Sequence, residues 1–480
     1  MEANALFDAG KVAYAQGNLD DAAACFEGSL ARAPRSAESY DNLLVTINYL
    51  PDYSRGAIFE MHRDFDTRFG QPLARAAMLH TNSVDRDRRL RVGYVSPDFK
   101  AHSVAFFVTP VLRHHDHDRF EVFGYHNSRH SDGVTEALRH ECDHWREIAS
   151  LTDEEVAGII RRDEVDILVD LTGHTAFNRL LTFARKPAPV QVTWLGYPNT
   201  TGLAAIDYRV TDDWTDPPGD ADRYYTERLI RLPTTFSCYS PPGDCPEVSP
   251  LPVATNGFVT FGSLNNFSKI HPEVVGVWIR LLEAVPQSRL ILVYNGGSKS
   301  WLDNIIHRVR SSAEIPFAAL RAMSNLRLAR KAFATSGISA SRIKILRGSP
   351  SSVVHLQNYQ KIDIALDPFP YNGTTTTCES LWMGLPVIAL EGDTHAQRVS
   401  SGILNNVGLG ELSARSHEEY LAIARRLSED KRNLAALRAT LRPMMSGSSL
   451  MDGREFTANL ESAYRSMWEE WSSKQRSSRQ

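Results

Sequence analysis

The sequence is poor in the features that mark secreted, metal-bound or membrane-embedded chains. Its 480 residues hold five cysteines, Cys25, Cys142, Cys238, Cys245 and Cys378, and no two form a CxxC pair. That argues against a disulfide framework or a structural zinc site and favours a reducing, cytoplasmic setting. No apolar run approaches the length of a membrane span. The opening MEANALFDAGK brings acids early and lacks an apolar core segment, so no signal peptide is expected. No DxD-type acidic cluster stands out, although Asp212 and Asp213 adjoin, so nothing calls for a metal. The net charge of −4 gives no overall pull toward nucleic acid or a membrane surface.

What remains is an ordinary globular composition, 42% hydrophobic and 23% charged, in a chain long enough for two or three domains. Residues 1–75 read as helical. Within them Gly10, Gly17, Ala22, Phe26 and Pro34 fall at the spacings of one tetratricopeptide repeat: small residues where two helices cross, an aromatic in the gap, proline at the end. A second unit starts near Ala37 and fails at Pro51. One repeat is too few for a solenoid surface, so the segment is expected to dock rather than form a separate binding arm.

From residue 88 to 245 strand patterns (LRVGYVS, FEVFGYH, VDILVDL, VQVTW) alternate with helical ones, which argues for a parallel sheet flanked by helices. A second alternating series runs over 256–450 (VTFGSL, RLILVYN, RIKILRG, KIDIALD, PVIAL). Between them CYSPPGDCPEVSPLPVATNG is rich in Pro, Ser and Gly, the strongest boundary signal in the chain. Two such domains suggest two lobes facing a cleft. Residues 451–480 hold an amphipathic helix and a tail, SSKQRSSRQ, expected to be disordered.

The richest stretch is Lys361–Leu390, KIDIALDPFPYNGTTTTCESLWMGLPVIAL. It reads as strand, loop, helix, turn, strand. Four threonines at a helix start, at the carboxyl end of a parallel strand, make a ready anion site. Thr376 and Glu379 have the spacing of a capping box; the other reading of Glu379 is a carboxylate for ribose hydroxyls. Lys269 sits at the expected opening of a helix, where a cation opposes the helix dipole unless an anion binds. Spacing alone favours a solvated lysine there. It likewise favours a packed histidine at His355, a solvated histidine at His102, and simple turns in LTGHT (171–175, with His174) and in WLGYPNTTG (194–202, with Gly196 and Pro198). Their functional alternatives are base contact, general base, and sugar or acceptor contact.

Taken together the motifs are familiar. GTTTTCESLWMGLPVI looks like the nucleotide-sugar signature of GT-B glycosyltransferases. VGYVSPDFKAHSVAFF, DILVDLTGHT, PAPVQVTWLGYPNTTG, VTFGSLNNFSKIHPEV and DPFPYNGTTTTCES resemble the O-GlcNAc transferase/SPINDLY family, over roughly residues 88–470. The resemblance implies an α/β GT-B fold of two Rossmann-like lobes with a short all-α tetratricopeptide-like segment. It implies an inverting transfer of one sugar from a nucleotide diphosphate donor to Ser or Thr of a protein or peptide, without metal or other cofactor. Carried over by position, Lys269 would bind the diphosphate, with Asn266 near the same phosphates. His355 would lie near the base. Thr375 and Thr376 would donate to the diphosphate, with Thr374 beside them, and Glu379 would hold the ribose. His102 would face sugar and acceptor as candidate base or positioning residue. Gly196 and Pro198 would line the sugar pocket, with His174 on the same side.

Two departures bear on specificity. The O-GlcNAc transferases have His-Thr-Thr-Gly after the Asn-Gly turn, whereas this chain has Thr374–Thr377, as in the SPINDLY branch, which uses GDP-fucose rather than UDP-GlcNAc. The stretch 294–323 looks longer than the family pattern. Competing readings are a GT-B transferase with a glycan, small-molecule or Asn acceptor, and a catalytically silent scaffold.

Overall fold

In the computed structural model, residues 2–75, 79–294, 325–349 and 351–479 are described. The long stretch noted in the sequence lies, from Asn295 on, outside the described residues. The chain divides into two compact units, Met1–Tyr53 with Pro241–Ser448, and Ser54–Ser240 with Ser449–Gln480.

The first unit is built on a six-stranded parallel sheet: β8 (Thr260–Ser263), β9 (Arg289–Tyr294), β10 (Ile343–Arg347), β11 (Ile364–Leu366), β12 (Val387–Leu390) and β13 (Ser413–Ala414), in the order β10-β9-β8-β11-β12-β13. The apolar alternation of KIDIALD becomes a strand buried throughout, as a parallel sheet covered on both faces requires. Its two acids have different surroundings. Asp363 accepts from the amides of Val253 and Thr260 at 2.9 and 2.8 Å, one on each oxygen. Asp367, at the other end, faces the loops described below.

Helices Ala3–Ala15 and Leu19–Arg32 pair in the same unit. Phe26 is fully buried against Gly10, where a Cβ would stand 2.6 Å from the ring. That is the small-residue crossing expected of the repeat. The third helix, Ala37–Ile47, ends before Pro51, and the following Tyr49 stacks on Tyr371 (centroids 4.4 Å, planes 16° apart). Residues 1–53 of the expected 1–75 segment thus belong to this unit, and the helix Arg55–Phe65 belongs to the other.

The second unit holds a seven-stranded parallel sheet: β1 (Leu90–Ser96), β2 (Phe120–His126), β3 (His144–Glu147), β4 (Ile167–Asp170), β5 (Val190–Thr193), β6 (Tyr208–Asp212) and β7 (Arg228–Leu232), in the order β3-β2-β1-β4-β5-β6-β7. The helix Gly453–Arg479 packs on it through Phe456, Leu460, Tyr464, Met467 and Trp468. It corrects the expectation of a disordered tail: Ser472 is buried and Arg476 donates to the Val84 carbonyl at 2.6 Å. The apolar stripe anchors the helix strongly enough to carry its polar end. Among the described residues no helix is long and apolar enough to cross a membrane.

Candidate functional site

In the first unit β8 and β11 are neighbours, and the strand order runs outward from them in opposite directions. Such a switch point opens a crevice beyond the carboxyl ends of the two strands. Lys269 reaches across it. Its Nζ donates to the Asn372 carbonyl at 2.6 Å and lies 4.2 Å from the centre of the Tyr371 ring. Burial pushes its pKa down to about 8, against the pull of the Asp367 charge. Asp367 is itself buried. Its Oδ1 accepts from the Gly373 amide at 2.8 Å and from Asn265 Nδ2 at 3.4 Å. Burial pushes this carboxyl up to about 6, although the Ser400 hydroxyl, the Lys269 charge and the Gly373 amide pull it down. In a poorly solvated crevice each charge sustains the other.

The helix Thr375–Trp382 points its first turn at the same place. Thr376 Oγ1 donates to Asn265 Oδ1 at 2.8 Å, and Thr377 Oγ1 bonds Ser400 Oγ at 2.8 Å. Thr374 stands at the N-cap without capping, and the hydroxyls of Thr374 and Thr375 have no protein partner among the described residues. The helix thus begins with unused amides and two unused hydroxyls, the donor set an anion needs. The capping-box reading of Thr376 and Glu379 fails, because with Thr374 as N-cap the third helical position is Thr377. Glu379 instead accepts from Tyr359 OH at 2.7 Å and bonds His355 Nε2 at 3.0 Å, both through Oε2. Burial would lower the His355 pKa, but the bond and charge of Glu379 win and raise it. Oε1 of Glu379 has no hydrogen-bond partner among the described residues.

Three expectations need correction. Lys269 does not open a helix: it closes a 3-10 turn, Phe267–Lys269, and the following helix starts at Pro272. The dipole conflict therefore falls away, and so does the solvated lysine, since the amine is enclosed by Asn372 and Tyr371. His355 is not simply packed, because it is paired with Glu379. Asn266 is exposed and caps the turn by accepting from the Ser268 amide at 3.2 Å. The bridging asparagine is Asn265, which the sequence reading missed. The signal was available in the two-residue period of the strand: Asn265 continues the row of Ser263, to whose Oγ it donates at 3.4 Å.

In the second unit the switch point lies between β1 and β4. His102, in the loop after β1, is exposed. Its Nδ1 accepts from the Val104 amide at 3.3 Å and lies 3.6 Å from Asp98 Oδ2. Partial desolvation lowers its pKa, with Asp98 opposing, so the neutral, proton-accepting form prevails near pH 7. His174, after β4, is buried. It donates Nε2–H to the Thr201 carbonyl at 2.8 Å and packs against His62, Phe65 and Tyr197. His62 bonds the Ile58 carbonyl through Nδ1 at 2.7 Å, so its Nε2 accepts from Tyr197 OH at 2.8 Å; burial brings its pKa to about 3.

Gly196 lets the 194–202 loop lie against the loop after β4: a Cβ there would stand 1.9 Å from the Leu171 carbonyl oxygen. Pro198 is partly exposed, and Arg209 fixes it from both sides, donating at 2.8 Å to the carbonyls of Tyr197 and Asn199. Asp212 accepts from the amides of Thr215 and Phe236, so this acid of the adjoining pair serves the fold. Among the described residues no three His, Cys, Asp or Glu side chains are grouped so that they could hold a metal ion.

Comparison with known proteins follows the same lines. The model of glycosyl transferase family 41 matches residues 48–240 and 252–460. The chain is 42% identical over 439 residues to a probable UDP-N-acetylglucosamine–peptide N-acetylglucosaminyltransferase SPINDLY of Petunia hybrida, covering 91% of this chain and 44% of that protein. It is 30% identical over 414 residues to the Arabidopsis thaliana protein named as the SEC transferase of the same kind, covering 84% and 39%. The chain thus spans about half the length of the curated relatives it matches. A solved Thermobaculum terrenum O-GlcNAc transferase mutant superposes with a TM-score of 0.88 at 38% identity, over 98% of this chain and 85% of that one. The GT-B class expected from the motifs holds.

Proposed function

The chain belongs to glycosyl transferase family 41, and from that premise we propose that it is an inverting protein O-glycosyltransferase, moving one sugar from a nucleotide diphosphate donor to Ser or Thr hydroxyls. The observation that carries this reading is the convergence of Lys269 and the threonine helix start on one switch-point crevice. As the glycosidic bond breaks, negative charge grows on the leaving diphosphate. A cationic amine and unused helix amides stabilise that charge without a metal. Glu379, with Oε1 open, is suited to ribose hydroxyls, and His355 beside it to the base. A serine hydroxyl is a weak nucleophile, and His102, kept neutral, is the candidate base. Inversion needs a single displacement and no covalent enzyme intermediate.

UDP-GlcNAc is the first donor to test, since the relatives carry it in their names. GDP-fucose is the second, on the strength of the SPINDLY-like Thr374–Thr377 run. The test is incubation with each labelled donor and cell extract, with and without EDTA, followed by mapping of label to Ser or Thr. Transfer that survives EDTA supports the proposal. Label on glycan, small molecule or Asn, or on nothing with any nucleotide sugar, overturns it.

A further inference from the structure

The docked helical segment has a direct line to the lysine of the donor crevice. Tyr14 OH donates to Tyr49 OH at 3.4 Å, and the two rings meet edge to face at 6.1 Å. Tyr49 stacks on Tyr371 at 4.4 Å, and the Tyr371 ring carries the Lys269 amine 4.2 Å from its centre. The next residue, Asn372, supplies the carbonyl that the same amine bonds. All five residues belong to one compact unit.

We propose that Tyr49 and Tyr371 are positioning residues for Lys269, so that the N-terminal helical segment forms part of the machinery that binds the donor diphosphate. The inference rests on the donor-site reading above. A lysine side chain has four rotatable carbons and about 2 kcal/mol of rotamer entropy to lose on being fixed. A π-face beneath the ammonium and a carbonyl ahead of it fix both its place and its direction. Tyr371 can serve as that platform only if its own ring is held. It lies in the loop between β11 and the helix Thr375–Trp382, and the Tyr49 stack is a contact from a separate part of the chain. The aromatic cover also keeps water from the amine, which agrees with its lowered pKa.

The experiment uses the full chain and three variants. Tyr49→Leu removes the stack while keeping apolar bulk, Tyr49→Phe keeps the stack and removes the hydroxyl, and Lys269→Ala reports the donor-site reading itself. UDP and GDP binding is measured by calorimetry, and kcat/KM for the donor is followed from pH 6 to 10, with thermal midpoints recorded to show that each variant is folded.

Expected for Tyr49→Leu are a loss of nucleotide affinity of about three- to tenfold, a rise in donor KM larger than any fall in kcat, and an alkaline limb displaced to higher pH as water reaches the amine. Tyr49→Phe should restore all three. Should Tyr49→Leu fail to fold, Tyr371→Leu and Tyr371→Phe take the same places. A folded leucine variant with wild-type affinity and an unmoved limb overturns the proposal. Nucleotide binding that Lys269→Ala leaves unchanged overturns the donor-site reading instead.

Discussion

Nε2 of His355 and Oε2 of Glu379 lie 3.0 Å apart, tying the helix Ser352–Gln357 to the helix Thr375–Trp382 beside the switch-point crevice. Glu379→Gln should weaken donor binding about tenfold, the cost of replacing a charged hydrogen bond by a neutral one. It should also act on stability with a definite sign. Glu379 raises the His355 pKa above its ordinary 6.5. That contribution is complete below pH 6.5 and is lost as pH rises through the folded value. The variant should therefore lower the thermal midpoint more at pH 5.5 than at pH 9, as calorimetry at the two pH values will check.

Lys269→Ala should lower kcat/KM by about 10²- to 10³-fold, the effect typical of removing one donor to a developing oxyanion. In the wild type the amine deprotonates near pH 8. Donor kcat/KM should be level below that pH and fall above it, as a pH series of initial rates will read. A flat profile to pH 10 would contradict the crevice electrostatics described here.

Asp367→Asn keeps an acceptor for the Gly373 amide but removes the charge that supports Lys269. The alkaline limb should move to lower pH, the opposite direction from that expected of Tyr49→Leu.

Gly196→Ala places a methyl 1.9 Å from a backbone oxygen, with the Thr172 Cα also within 2.9 Å. Neither neighbour is the end of a flexible side chain, so the loop itself must shift. The expected loss is about 1–3 kcal/mol, read as a lower thermal midpoint, with nucleotide binding by the other unit retained.

Much of this was legible in the sequence, for identifiable reasons. Beside the two switch points, β4 and β11 carry short apolar runs buried throughout, and such runs announce parallel sheets. The repeat-like helices show in five residues whose sizes must fit one another. What the sequence hid was direction. Asn265 and Asn266 are chemically identical, and only the strand's two-residue period separates bridge from cap. Lys269 reads as a surface residue until the loop bearing Tyr371 and Asn372 folds over it. Strands β3, β6 and β7 were missed because HWRE, YRVTD and RLIRL interleave charges that find partners: Arg146 with Asp163, buried Arg209 with two carbonyls, and Arg231 with Asp222. The terminal helix was cut short because its last turns are polar, while its anchoring residues lie further up.

The crevice joins residues far apart along the chain: Asn265 with Thr376, and Lys269 with Asn372, contacts that span 111 and 103 positions. Loops of that length close slowly, because their entropy is lost before any contact rewards it. On a ribosome, Tyr49 emerges long before Tyr371 exists to receive it. The first helices can pair at once, but their aromatic contact stays open until the threonine loop has been made. A chain halted before that loop would have its paired first helices but neither the aromatic contact nor the crevice, so repeat and crevice become one structure only when the threonine loop is made.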